Sequence, residues 1–353
     1  MIAFTRHKLF WPVLALVLLL LGNLVFTPGF FNIKVLDGHL YGSLIDILRS
    51  AAPLALISAG MTLVIATGGI DLSVGSVLAI CGALACLRIS KQADQGAVGG
   101  VLLAILLAVA LGVVLGAWNG MLTAGFGVQP IIATLILLVA GRGLAQLITS
   151  GQIITVRSPP YRKVGAGYFL GLPIPVLIAI GMVVITVLLT RRSALGMLIE
   201  AVGGNATAST LAGVRARRIT FMVYVFSGLC AAIAGLMISS NVSSADGNNA
   251  GLFIELDAIL AVVLGGTALS GGRFSLGGTV LGALIIQTLT TTIYTVGIPP
   301  ETTLLFKAIV VTIVCLIQSP AFRAKVFQRR RRPVVVAGPA AVEPEKAPTG
   351  DRA

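Results

Sequence analysis

Ten stretches of this chain, near residues 10–26, 50–67, 73–89, 98–123, 128–149, 171–190, 219–240, 255–269, 276–296 and 302–319, are apolar over much of the length a helix needs to cross a bilayer. An α-helix rises about 1.5 Å per residue, so about 20 apolar residues cover about 30 Å of hydrocarbon. Backbone groups that face lipid must be bonded within the segment, which leaves helices as the state of these runs. The expected fold is therefore an all-α polytopic membrane protein with ten spans. The second, third and eighth runs are short and flanked by glycine, so eight is the alternative count. Only 10% of the residues are charged and mean hydropathy is +1.02, against about 25% charged residues in soluble domains. Soluble enzymes, coiled coils and disordered chains are excluded on that ground.

The first run follows Arg6, His7 and Lys8 and has the look of a signal peptide, but Gly22-Asn23-Leu24-Val25-Phe26-Thr27-Pro28 offers no small-x-small cleavage site, so it reads as a retained helix. Cys81, Cys86, Cys230 and Cys315 all fall in apolar runs and read as small buried hydrophobes. His7 and His39 are too few and too far apart for a metal site. The 42 glycines suit helices packed closely in lipid.

Ten spans with the amino terminus inside place sixteen of the 25 Lys and Arg residues on the cytoplasmic side and seven outside, with Arg142 and Lys307 inside spans. The bias follows the positive-inside rule, so the net charge of +13 is a signal of orientation and not a nucleic-acid footprint. Both termini are expected in the cytoplasm, with residues 1–328 forming the membrane domain. Arg329 to Arg332 then opens a basic tail over 329–353, read as disordered.

Two interruptions echo each other. Gly68-Gly69-Ile70-Asp71-Leu72-Ser73-Val74-Gly75 and Gly265-Gly266-Thr267-Ala268-Leu269-Ser270-Gly271-Gly272 share the pattern G-G-x-x-L-S-x-G, 197 residues apart. After a six-residue insertion the match resumes, as Gly75-Ser76-Val77-Leu78 against Gly278-Thr279-Val280-Leu281. Glycine breaks at matching positions of two halves mark a transporter built by internal duplication, parallel on a ten-span count and inverted if one span is miscounted. Leu269-Ser270-Gly271-Gly272-Arg273 imitates the signature loop of transport ATPases. However, no lysine here follows a glycine, so the G-x-x-x-x-G-K-[ST] phosphate loop is missing and the chain is expected to hydrolyse no ATP.

The connection from Arg191 to Val214 is the longest inside one. Asn205 is a suitable N-cap for a short helix over 206–212, with Gly203, Gly204 and Gly213 expected to turn the chain at its ends. By spacing alone it is either a docking helix or an amphipathic loop on the membrane. Here a family resemblance enters. Glu200-Ala201-Val202-Gly203-Gly204-Asn205, leading to Ala212-Gly213-Val214, resembles the coupling loop of permease subunits in bacterial ribose-type sugar ABC importers. Gly60-Met61-Thr62-Leu63-Val64-Ile65 running into the first glycine break is similar to that family's most recognisable segment. The likeness runs from about Ile45 to Gln318. Leu36 to Gly42, Ile45-Asp46-Ile47 and Leu256 to Val263 look most like the galactofuranose branch.

The resemblance implies a permease that moves a pentose or hexose. Its partners would be a second permease chain, a cytoplasmic ATPase that binds ATP and Mg, and a periplasmic sugar-binding protein. This chain itself would bind no cofactor. Glu200, Gly203, Gly204, Asn205, Ala208 and Gly213 would couple it to the ATPase. An ion-coupled transporter acting alone is the alternative.

Five polar positions are candidates for the pathway or its gate. Asp71 follows a Gly-Gly break in an apolar region, where a carboxylate is functional, paired or a helix cap; Ser73 and its echo Ser270 accompany it. Asn119, among small neighbours, reads first as an interhelical hydrogen bond. Arg142 lines the route or a dimer seam, or else snorkels outward. Glu255 and Asp257 read as carboxylates at the outer N-terminus of the eighth span, and Lys307 as an outer-end snorkeller.

Overall fold

Each of the ten apolar stretches holds a helix in the computed structural model, which describes residues 9–26, 29–36, 38–297, 299 and 302–318. The chain divides into two units, 1–318 and 319–353. The second unit, with the expected boundary at residue 328 and the basic tail, lies outside the described residues, as does Asp37.

In chain order the helices are α1 (Phe10–Phe26), α2 (Ser43–Ala66), α3 (Val74–Ser90), α4 (Val98–Gly120), α5 (Pro130–Thr149), α6 (Pro159–Ala166), α7 (Ile174–Arg191), α8 (Leu195–Gly204), α9 (Ala206–Leu211), α10 (Ala216–Val242), α11 (Ile254–Leu264), α12 (Leu276–Val296) and α13 (Thr303–Gln318). A π turn over Met121–Gly125 extends α4. Among the described residues, α2, α4 with its π turn, α5, α7, α10 and α12 are long and apolar enough to cross a membrane by length and composition. The others are shorter. α11 has 11 residues, about 16 Å of rise, or half a bilayer core.

α2 is the axis of the bundle. Every residue from Ala51 to Ala66 is buried, chiefly by α10, α12, α7 and α11. The outer helices α4, α5 and α7 keep large hydrophobic residues exposed, among them Leu102, Leu106, Ile136, Val139, Val184 and Leu188. That pattern, hydrophobic outside as well as inside, is what lipid-facing helices require. α4 meets α10 through a stripe of glycines. A Cβ on Gly112 would lie 2.9 Å from Gly228 O, and one on Gly116 2.5 Å from Tyr224 O. Only glycine lets two helices approach so closely, and their backbones supply the contact that larger side chains supply elsewhere. Cys81, Cys86 and Cys230 are buried free thiols, as expected; the side chain of Cys315 lies outside the described residues.

The connections sort to two ends. At one, residues 154–155 pair antiparallel with 244–245, Leu40 N donates to Gly171 O, and Arg157 N donates to Gln95 Oε1 at 2.7 Å. α6 adds an unforeseen short helix there, with Ser158 as its N-cap and prolines at its first positions. At the other end lie the break 67–73, the π turn and the connection holding α8 and α9.

Candidate functional site

The first glycine break is locked by polar side chains. α2 ends at Ala66, and Gly68 turns the chain with φ +82° while the amides of Gly68 and Gly69 return to Ile65 O and Val64 O. This is the left-handed glycine cap that closes many helices. Asp71, 1% exposed, then accepts from Ser73 N at 3.0 Å and Ser73 Oγ at 2.7 Å through Oδ1. Its Oδ2 accepts from Ser227 Oγ of α10 at 2.7 Å. Asn119 of α4 donates to Ser73 Oγ at 2.7 Å, an interhelical contact of the kind its small neighbours foretold. Three of the five pathway candidates thus form one buried cluster. Its chemistry is a buried carboxyl group that accepts from three donors, and through Asn119 on Ser73 the cluster ties the break to α10 and α4.

Ser270 does not join it. The second break is exposed at Ala268, Leu269 and Ser270. The left-handed glycine that closes α11 is Gly266, φ +85°, whose amide returns to Val263 O while Thr267 N returns to Val262 O. The structural counterpart of Gly68 is therefore Gly266, one residue beyond the partner assigned by the sequence echo. The counterpart of Ser73, as N-cap of the next helix, is Ser275, whose Oγ accepts from Gly278 N. Ser270 sits in the longer second loop with no such role.

The two breaks meet at α8. Gly272 N donates to Ala66 O at 2.9 Å, and Gly203 packs over that bond. A Cβ on Gly203 would lie 1.7 Å from Ala66 O and 2.6 Å from Gly272 N; one on Gly271 would lie 2.9 Å from Gly203 O and 3.1 Å from Gly68 Cα. Gly203 is thus a close-contact glycine, and neither it nor Gly204 has positive φ, contrary to the turning role expected of them. Gly204 has open space around its α-carbon. Beneath them Ile199 and Val202 bury the inner face of α8, a helix that the sequence reading did not foresee.

α9 follows over 206–211, one residue shorter than the expected 206–212. Asn205 Oδ1 accepts from Ala208 N at 2.9 Å. Gly213, φ +86°, closes the far end, with its amide on Thr210 O and Val214 N on Ser209 O. Except for Ser209, α9 is exposed throughout, and Leu211 at its tip is 86% exposed. Glu200 is half-buried on α8. The chain therefore holds out a short, capped helix of small residues whose root touches both glycine breaks.

Arg142 lies apart from Asp71. From the middle of α5 its Nη1 donates to Ala250 O at 2.7 Å and reaches Asn248 O at 3.4 Å, so it clasps the loop 243–253 instead of snorkelling. That loop dips into the bundle. Gly251 lies against Leu78, and the first turn of α11 lies against that of α3: a Cβ on Gly75 would be 2.4 Å from Glu255 Oε2. Glu255, expected at the outer end, is 6% exposed and placed at the N-terminus of α3, where the helix dipole favours a carboxylate. At the loop's head, burial opposes ionisation of Asp246, but hydrogen bonds from Asn249 and the amides of Asn248 and Asn249, with the charge of Arg142, hold it below the usual carboxylate range. Lys307 forms an ion pair with Asp257 at 2.8 Å, joining α13 to α11, where simple snorkelling was expected.

Sequence reasoning missed a small cleft above α11. It has a volume of about 260 Å³ and is lined in part by Arg49, Asn241, Asp257 and Gln287. Arg49 Nη2 donates to Asn241 Oδ1 at 2.5 Å and its Nε to Gly165 O at 3.3 Å. A signal existed, since Arg49 and Gln287 are polar residues beside or within apolar runs. The cleft falls below the roughly 300 Å³ at which ligand pockets begin.

Comparison with known proteins bears on this arrangement. Residues 43–315 match the family described as branched-chain amino acid transport system, permease component. The galactofuranose transporter permease protein of Escherichia coli is 51% identical over 324 residues, covering 90% of this chain and 93% of that one. The fructose import permease protein of Bifidobacterium longum is 41% identical, covering 89% and 88%. The ribose import permease protein of Bacillus subtilis is 41% identical, covering 78% and 84%. No solved structure matches the chain. The matched region begins with α2 and ends within α13, so it takes in both glycine breaks, the Asp71 cluster and the α8–α9 connection. The chain belongs to this permease family, as a multi-pass membrane protein of the ribose-type sugar-importer kind.

Proposed function

We propose that the chain is the sugar-conducting subunit of a bacterial importer, with galactofuranose its first candidate substrate, and that α9 is where a separate ATPase grips it. The supporting observation is the junction of Gly203 with Ala66 and Gly272. A push on α9 passes through α8 into the ends of both glycine breaks without a flexible link between. Its small residues, Ala206, Ala208 and Ala212, suit a partner's cleft, and Leu211 supplies an apolar tip. ATP and Mg sit on the partner, because this chain lacks the phosphate loop. No cofactor is assigned to this chain.

Orientation follows the same reading. The end that carries α8 and α9 faces the cytoplasm, together with both termini, in line with the sixteen-to-seven division of basic residues. The opposite end, with Tyr41, Arg49, Arg162, Lys163 and Tyr168 around a shallow depression, receives the periplasmic binding protein. A second permease chain completes the path. Most of the choice among sugars rests with the binding protein, since the cleft over α11 is too small for a tight site. Asp71 and its partners hold the first break in shape while the path opens around them.

Uptake into membrane vesicles tests this. Labelled galactofuranose, ribose and fructose are offered with the ATPase and binding protein present. Uptake is expected only with ATP, and most strongly for galactofuranose. Accumulation by this chain alone under a proton gradient would overturn the reading. So would wild-type uptake by a well-inserted Gly213→Val variant, whose φ the new side chain cannot adopt without strain.

A further inference from the structure

One groove belongs neither to the Asp71 cluster nor to the α8–α9 connection. It lies where α4 passes into the π turn beside the first turns of α10, has a volume of about 480 Å³, and is lined by Val114, Trp118, Met121 and Phe221 with Arg217 and Arg218 at its rim. The π turn is real in its bonding: Phe126 N donates to Met121 O at 3.0 Å, five residues back. Such a turn inserts an extra residue into the helix and occurs often at functional sites. Here it follows a point where α4 is pressed on α10 at Gly120, whose Cβ would meet the ring of Phe221 at 3.0 Å.

The groove's walls face outward. Val114 is 60% exposed, Trp118 49% and Met121 47%. In a lipid-facing helix such walls hold hydrocarbon. The rim is different. Arg217 and Arg218 are exposed, and their guanidinium groups have no hydrogen-bond or ion-pair partner among the described residues. They stand in the first turn of α10, which has no acidic residue, and Arg215 occupies its N-cap without a side-chain cap bond. Cations at this end of a helix oppose its dipole and repel one another. An anion between them would relieve both. An apolar slot with a paired positive rim, and a tryptophan beside it as at membrane interfaces, fits one kind of occupant: a molecule with hydrocarbon tails and an anionic head.

We propose that this groove is a binding site for an anionic phospholipid, its phosphate between Arg217 and Arg218 and one acyl chain along Val114, Trp118 and Met121. The site is independent of which sugar the chain moves. Bound lipid would brace the start of α10, the helix that also supplies Ser227 to Asp71.

The sequence provides its own reporter, because Trp11 and Trp118 are the only tryptophans. In the full-length chain carrying Trp11→Phe, reconstituted into phosphatidylcholine vesicles, Trp118 emission is followed as either brominated phosphatidylglycerol or brominated phosphatidylcholine is added. The brominated anionic lipid is expected to quench at several-fold lower mole fraction, about fivefold for each arginine that meets the headgroup. Arg217→Gln with Arg218→Gln should abolish the preference, while the Lys pair retains most of it; an unchanged emission maximum checks that the fold is kept. Equal quenching by both lipids would overturn the proposal, as it would show ordinary surrounding lipid. No quenching by either would overturn it too, as the groove would then be covered by protein. A preference that survives the Gln pair, or vanishes when inorganic phosphate is added at constant ionic strength, would overturn it as well; the latter would identify free phosphate as the ligand.

Discussion

Where α2 ends, the chain turns and starts the next helix within seven residues, 67–73, and Gly69, Asp71 and Ser73 are buried. Where α11 ends, it takes eleven, 265–275, and Ala268, Leu269 and Ser270 stay exposed. Both breaks open with the same left-handed glycine cap. In the sequence echo they differ at the third, fourth and seventh positions, with Asp71 against Ala268; in the structural register set by Gly68 and Gly266, Asp71 falls opposite Leu269. The aspartate draws in Ser73 and Ser227 and folds its loop into the bundle. Without it, the second loop has nothing to pull it inward, and its glycines instead reach α8. One local motif has thus given an anchor, held by the Asp71 carboxyl group, and a docking point.

Substitutions at four positions probe that contrast, the most damaging first. Gly203→Val places atoms within bonding distance of Ala66 O and should part the two breaks from α8. The expected cost exceeds about 4 kcal/mol, read as loss of monodisperse protein in gel filtration; a variant that purifies and melts like the parent would show that the junction does not hold. Asp71→Ala leaves three donors without their acceptor, Ser73 N and Oγ and Ser227 Oγ, for a cost of about 3 kcal/mol. Its thermal unfolding midpoint should fall clearly, and Asp71→Asn should recover part of the loss. Gly272→Ala, at φ +88°, should cost about 1 kcal/mol through backbone strain alone, since nothing crowds its α-carbon. Smallest of all, Ala268→Asp should change stability by no more than about 0.5 kcal/mol, leaving the thermal midpoint nearly unmoved. A large destabilisation there would mean that the second break is less free than its exposure implies.

Much of this was legible beforehand, and the failures have physical causes. Apolar runs located ten of the thirteen helices among the described residues, because a membrane helix needs little beyond length and hydropathy. Asn205 and Gly213 were readable as caps, since their side-chain chemistry and backbone freedom act locally. Gly203 was misjudged, because a glycine required for close contact looks in sequence like one required for a turn. The register of the echo slipped by one residue for a similar reason. In a Gly-Gly pair either member can be the left-handed one, and the first break uses Gly68 while the second uses Gly266. Ser275 was overlooked because capping depends on where the following helix starts, which the longer second loop moved. The inward path of residues 243–253 was hidden by composition: Ser, Asp and Asn read as a surface loop, and only the carbonyls held by Arg142 reveal that it descends.

The burial of α2 has a consequence for synthesis. It is among the first helices made, yet α10 and α12, which cover it, end about 180 and 230 residues later. At about 5–20 residues per second, α2 waits roughly 10–45 s before its neighbours exist. Through that interval Gly60, Thr62 and the ends of Gly68 and Gly69 have no protein surface against them. The nascent chain must be sheltered by the insertion machinery or by transient pairing with α1 and α3. Defects in late helices would then register as degradation of an early one.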